Sequence, residues 1–295
     1  MRLSSGFFMA FVAANVACHK PRPVEPLRST SVSYAHAADD LHILDRMVTV
    51  GTLQLHLHCE GEGEPVVVLE SGLGLDYTAW REVQPSVARS TRACAYDRAG
   101  RGRSTSPPPY PHGQRQMAEE LHALLKNAEQ RGPYVLVGHS MGGAIARWFH
   151  ADHPAEVAGM VLIDAAGDEW MKRNLALAPP EAMPEFRKNL REWEGLDEET
   201  LMAGYADLRA DEPSLGSKPL VVLTAGKPAG ELQARRDAQS VPGLSSNAVY
   251  RVAAQSGHNV PLEQPAEVIR AIRSVVESVR TATPLGQPAP TDHEP

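Results

Sequence analysis

The sequence lacks a surplus of positive charge. Its 29 Lys and Arg are outnumbered by 36 Asp and Glu, and the formal net charge is −7. The cations are scattered apart from Arg98, Arg101 and Arg103, which sit in a glycine-containing turn. That balance excludes nucleic acid as a partner, because phosphate neutralisation needs clustered cations. Also missing is an apolar run of the ~20 residues that a transmembrane helix requires: the stretch from Phe7 to Ala17 is too short and is broken by Asn15. The turn at 97–104 does not end in the Lys-Ser/Thr of a phosphate-binding loop, so it reads as a structural turn. His56 and His58 share a strand face but have no third ligand near them, and they read as solvent-facing rather than as a metal site. Cysteine is down to Cys18, Cys59 and Cys94.

What is present suffices for a sizeable core, since 42% of the residues are hydrophobic. A chain of 295 residues accommodates one large domain or two small ones. Residues 1–18 have the layout of an export signal, with Arg2 as a positive start followed by the apolar stretch. Cleavage after Ala17 would leave Cys18 as the first mature residue, the position that carries lipid in bacterial lipoproteins, although Asn15 departs from that pattern. The triplet Ala35-His36-Ala37 is a second cleavage candidate, far beyond the apolar stretch. Residues 19–45, rich in Pro, Ser, Ala and charge, read as a tether, and 283–295, with its prolines, as a disordered tail. An exported, membrane-tethered or secreted protein is the expectation.

Between them the apolar pattern alternates strand and helix. Leu53 to Cys59 alternates strictly, as a half-buried strand does. Val66 to Leu69 is a continuous apolar run, expected of a parallel strand covered on both faces. Trp80 to Ala88 reads as helix and Arg92 to Tyr96 as strand. Gln116 to Glu129 carries Met117, Leu121, Leu124 and Leu125 at helical period. Val157 to Asp164, Leu220 to Thr224 and Asn247 to Ala253 read as further strands, and Ala266 to Val279 as a closing amphipathic helix. From about 165 to 217 no strand run occurs, and apolar residues are strewn among charges and prolines as in short helices.

The centre of this pattern is Gly138-His139-Ser140-Met141-Gly142, set between the apolar run Tyr134 to Val137 and the helical run Gly143 to Phe149. Strand, then Gly-x-Ser-x-Gly, then helix is the context of a nucleophile elbow. Its turn is so tight that the serine stands clear of both elements, with glycines removing the Cβ atoms that would collide. The Met141 N–H lies at the helix start, where positive dipole density favours an oxyanion. His139 is expected to face away from the site, and His150 and His153 to lie on the surface.

With these motifs the chain resembles the α/β-hydrolase superfamily from about Met47 to Val279. Asp97-Arg98-Ala99-Gly100-Arg101-Gly102-Arg103-Ser104 is similar to that family's Asp-Arg-x-Gly-x-Gly-x-Ser turn. Ser256-Gly257-His258-Asn259 through Pro265 is similar to its histidine loop. The resemblance implies a mostly parallel eight-stranded sheet flanked by helices over residues 46–282, with a helical cap inserted at about 165–217. It implies Ser140 as nucleophile, His258 as general base and the N–H groups of Leu73 and Met141 as oxyanion donors. Ser71-Gly72 stands where the family often has His-Gly. The usual acid position after the strand 220–224 holds Ala225-Gly226-Lys227 and no carboxylate. Asp164, at the end of the preceding strand, is therefore favoured as the acid, with Asp168, Glu231 and Asp237 as alternatives. Cys59 and Cys94 fall on neighbouring strands of the family's sheet, which leaves open either a disulfide or two buried thiols.

The implied activity is hydrolysis of a small-molecule carboxylic ester, with amides or lactones as variants, requiring no metal or organic cofactor. A peptidase or carbon-carbon hydrolase of the same superfamily, and a non-catalytic binding protein on the same fold, stand as alternatives. Oligomeric state is not legible.

Overall fold

The computed structural model of the chain describes residues 42–105, 111–165, 167–239, 241 and 243–286. The export signal, Cys18, the Ala35-His36-Ala37 triplet, the tether up to residue 41 and the tail from residue 287 lie outside the described residues. Eight strands form one sheet: β1 Leu44–Val50, β2 Leu53–Glu60, β3 Val66–Glu70, β4 Ala93–Tyr96, β5 Tyr134–His139, β6 Val157–Ile163, β7 Leu220–Ala225 and β8 Ala248–Ala253. Their order is β1-β2-β4-β3-β5-β6-β7-β8. β1 and β4 pair antiparallel with β2, and every later pairing is parallel.

The α-helices are α1 Gln84–Ala88, α2 Gln114–Asn127, α3 Met141–Asp152, α4 Asp168–Leu177, α5 Met183–Glu194, α6 Glu198–Asp211, α7 Leu232–Gln239, α8 Val260–Glu263 and α9 Pro265–Thr281. The expected helix from Trp80 to Ala88 is split: a 3-10 turn covers Tyr77–Trp80 and α1 starts at Gln84, with Pro85 in its first turn. Pro suits a helix start because its missing N–H would have no intrahelical partner there.

Strand alternation divides the core in two. Val66, Val68, Leu136, Met160 and Leu162 face one side, with Met117, Leu121, Leu124 and Leu125 of α2 and Ile145 and Phe149 of α3. Val67, Leu69, Val135, Val137, Val161 and Ile163 face the other, with Val268, Ile272, Val275 and Val276 of α9. β3 and β5 are therefore covered on both faces, and the carboxyl ends of β5 and β6 emerge side by side at one edge of the sheet. Gly138 pairs with Leu162 and His139 with Ile163, which brings Ser140 and Asp164 next to each other. Between β6 and β7 the chain runs through α4, α5 and α6 and contains no strand among the described residues, as the pattern at 165–217 predicts.

The boundaries shift slightly from those expected. β1 begins at Leu44, and Asp45, assigned by composition to the tether, pairs with Arg103 and His56. At the other end Leu285 packs against the core and its N–H donates to Asn247 Oδ1 at 2.8 Å, so order extends into the stretch read as tail. Cys59 and Cys94 are direct partners across β2 and β4 and form a disulfide.

Candidate active site

The serine is held by the elbow. Ser140 has φ 54°, a left-handed conformation that side chains normally avoid. It persists because the surroundings over-determine it: a Cβ on Gly138 would lie 2.5 Å from the Gly142 carbonyl oxygen, and one on Gly142 would lie 2.5 Å from that of Glu70. The elbow thus sits in direct contact with the end of β3. Gly72 is nearly as close, since a Cβ there would approach Ser140 Cβ to 3.3 Å and His139 Nδ1 to 3.0 Å. The loop carrying Leu73 is consequently pressed against the serine, with Met141 at the first position of α3 on the same side.

His258 reaches the serine from the loop between β8 and α8. Its Nε2 lies 2.9 Å from Ser140 Oγ, and its Nδ1 2.7 Å from Asp164 Oδ2. A carboxylate only accepts, so Nδ1 carries the proton and Nε2 is free to accept that of the serine. Asp164, with φ 41°, also accepts from Ala225 N–H at 3.0 Å, from Gln239 Nε2 at 2.7 Å and from Arg235 Nη1 at 3.0 Å. Burial alone would raise the Asp164 carboxyl. The hydrogen bond and charge of His258, with the charge of Arg235 and the bond from Gln239, outweigh it and hold the carboxyl well below the usual carboxylate range.

The other candidate acids fall elsewhere. Asp168 pairs with Lys172, Glu231 lies 3.7 Å from Arg235, and Asp237 accepts from Gln233 on the surface. Asp164 instead hangs over the empty position after β7 and binds its backbone at Ala225.

A buried charge network supports the Leu73 loop. Arg98 donates to the carbonyls of Ser71 at 2.6 Å and Gly72 at 2.7 Å, and pairs with Glu70 and with Glu194 of α5. Burial pulls the guanidinium down, but the charges of Glu194 and Glu70 more than compensate and raise its pKa. Glu194 also accepts from Gly74 N–H at 2.8 Å. The turn at 97–104 is organised around Asp97, which accepts from the N–H of Tyr77 and of Arg103, while Gly102 at φ 46° packs on its carboxylate where no Cβ would fit.

Three histidine expectations are corrected. His139 does not face away: it is buried, its Nε2 donates to the His258 carbonyl at 2.8 Å, and the two rings lie 4.9 Å apart. Burial, reinforced by the nearby His258, pushes its pKa down to about 3, so it is neutral at ordinary pH. His56 is fully buried rather than solvent-facing, because the 97–104 turn and Tyr77 cover that face of β2; it bonds Asp97 at 2.9 Å and Asp45 at 3.1 Å. His150 is buried against the Ser214 carbonyl, while His153 is only partly covered.

Sequence reasoning also missed Arg235, Gln239 and Glu194. The first two could have been found from their four-residue spacing on α7, which puts both on the face toward β6. Glu194 is one acid among many on a charged helix and carries no such signal.

An eight-stranded sheet with this order, carrying a serine elbow and a histidine loop at its carboxyl edge, defines the α/β-hydrolase class. Residues 65–241 match the alpha/beta hydrolase fold family, and the chain belongs to it. It is 27% identical over 250 residues to the uncharacterized protein YqjL of Bacillus subtilis, which covers 83% of this chain and 97% of that protein. Over 126 residues it is 35% identical to the 2-hydroxy-6-oxo-2,4-heptadienoate hydrolase of Pseudomonas putida, covering 42% of this chain and 45% of that one. Among solved structures it is similar to a thermophilic esterase from Thermogutta terrifontis, with TM-score 0.55 and 22% identity over 81% of this chain and 99% of the other. The epoxide hydrolase CorEH is similar at TM-score 0.58 and 20% identity over 81% and 100% of the two chains. These structural likenesses show the fold; the family places the protein among hydrolases of small molecules.

Proposed function

We propose that this protein is a serine hydrolase of carboxylic esters that works through an acyl-enzyme on Ser140. The observation that carries the reading is the unbroken hydrogen-bond chain from Ser140 Oγ through His258 to Asp164. In the first step His258 Nε2 takes the serine proton as Oγ attacks the ester carbonyl, and the buried Asp164 carboxylate stabilises the imidazolium that forms. The N–H groups of Leu73 and Met141 receive the oxyanion at the positive end of α3. The imidazolium then gives its proton to the leaving alcohol. Water enters and loses a proton to the same Nε2 as its oxygen attacks the acyl carbon, and the imidazolium returns that proton to Ser140 Oγ as the acyl–Oγ bond breaks and the acid leaves.

Helices α4 to α6 act in this reading as the cap over the acyl pocket. A carbon-carbon hydrolase reading is favoured by one observation, the partial likeness to the Pseudomonas putida hydrolase named above. The non-catalytic reading draws on the empty acid position after β7, and against it stands the Asp164 carboxylate 2.7 Å from His258 Nδ1. Export is supported by the N-terminal apolar stretch and by the Cys59–Cys94 disulfide, a bond that persists in oxidising compartments. Cys18 would then serve as a lipid anchor or be removed with the signal. No helix among the described residues is long and apolar enough to cross a membrane.

The test is turnover of p-nitrophenyl esters of increasing acyl length beside a vinylogous diketone of the carbon-carbon hydrolase type. Ester turnover lost in Ser140→Ala supports the proposal, whereas serine-dependent cleavage of the diketone alone moves the assignment to the second reading.

A further inference from the structure

At the end of α3 farthest from Ser140, two histidines and two glutamates face one another. Glu119 and His122 are three residues apart on α2; His153 and Glu156 are three apart where α3 runs through a 3-10 turn into β6. The hydrogen bonds cross between the segments: His122 Nε2 to Glu156 Oε1 at 3.0 Å, and His153 Nε2 to Glu119 Oε1 at 3.1 Å. The imidazoles stack with centroids 3.7 Å apart, and both rings pack edge-on against the buried Phe149. Ligand atoms of Glu119, His122 and His153 all lie within 4.8 Å of one another.

We propose that this cluster binds one divalent transition ion of the zinc type, with His122, His153 and Glu119 as ligands and Glu156 beside them. The donor set is two imidazoles and carboxylate oxygen, which suits zinc and its neighbours. Phe149 and the ring stack hold the imidazoles in place, so little side-chain freedom is lost on binding. The carboxylates that now accept from Nε2 supply the negative charge that a dication needs. On binding, the proton that each Nε2 donates to its carboxylate is exchanged through water to Nδ1, and the freed Nε2 lone pair takes the ion. Access is open, because His122 and Glu156 line a surface groove shared with Lys126, Glu129 and Tyr134. The side chains of His122 and His153 are about one-fifth exposed, at 20% and 21%. The ion would pin α2 to the α3–β6 turn, roughly 18 Å along α3 from the serine at 1.5 Å per residue, and is separate from the acyl-transfer chemistry.

The experiment is calorimetric titration of the tag-free full chain with Zn2+ alone, repeated on His153→Gln, His122→Gln and Glu119→Gln. The expected result is one saturable ion per chain, with affinity lowered about 10–100-fold or more in each variant and ester turnover unchanged. Because Glu119 is half exposed, at 52%, Glu119→Gln keeps the test decisive if a histidine variant unfolds. Absence of saturable binding, or binding that the variants leave intact, overturns the proposal.

Discussion

Glu194, the last residue of α5, accepts the Gly74 N–H at 2.8 Å and the Arg98 guanidinium at 2.7 Å, tying the helical insertion to the loop that carries Leu73. The Leu73 loop is thus fixed on either side of that residue, by Arg98 on the carbonyls of Ser71 and Gly72 and by Glu194 on the N–H of Gly74. In Glu194→Gln the Arg98 guanidinium keeps Glu70 but loses its second carboxylate, and the fold is expected to lose about 1–3 kcal/mol. The expected kinetic signature is a kcat about tenfold lower with KM little changed, since small misplacements at a reacting centre cost up to about 10²-fold. Steady-state kinetics and a thermal melt on one preparation check it. Lost stability with unchanged kcat would leave Glu194 a fold contact only.

Asp164→Asn tests the acid. The amide can orient His258 Nδ1 only by presenting its oxygen, and it cannot balance the imidazolium, so kcat is expected to fall by about 10⁴ as for similar triads. Asp168→Asn and Asp237→Asn, whose carboxylates lie away from His258, are expected to keep their turnover. Parallel kinetics on the three variants decide the assignment.

Much of this arrangement was legible in the chain. The alternating and continuous apolar runs placed the strands, because sheet burial imposes a period that local residues must obey. The elbow and histidine loop announced themselves through glycines that the turn geometry demands. Asp164 is favoured because the resemblance leaves the usual place after β7 empty, and the structure sets it at the end of β6, beside the elbow, with its side chain spanning to His258 and to the Ala225 backbone. Arg98–Glu194 and His139–His258 were not readable. Both depend on segments far apart in sequence, 96 and 119 residues, and no local pattern records such a meeting. His56 went wrong for the same reason: its strand face is polar in pattern yet is covered by a distant turn.

His139 gives the chain a pH dependence. Its folded pKa, about 3, is depressed from the ordinary 6.5, so the unfolded chain binds the proton more readily. Its contribution to stability is complete above pH 6.5 and is lost progressively as the pH falls toward 3. His139→Gln keeps a donor for the His258 carbonyl and does not titrate. The variant's unfolding midpoint is expected to fall less steeply between pH 6.5 and 4 than that of the parent chain, as chemical denaturation across that range would read.

The Cys59–Cys94 bond closes a loop across 35 residues of sequence. Removing a constraint of that length typically costs about 2–4 kcal/mol. Thiol titration of the unfolded, unreduced domain is expected to find neither cysteine free. Cys59→Ala with Cys94→Ala is expected to unfold at lower denaturant by that margin. Two reactive thiols would contradict the pairing.

The most direct measurement of the central claim is intact-mass analysis after exposure to a fluorophosphonate, followed by peptide mapping. A single adduct on Ser140 is expected, absent in Ser140→Ala and greatly slowed in His258→Ala, because only an activated serine beside an oxyanion site attacks phosphorus at useful rates. An unlabelled Ser140 in a folded chain, or labelling that ignores the loss of His258, would contradict it.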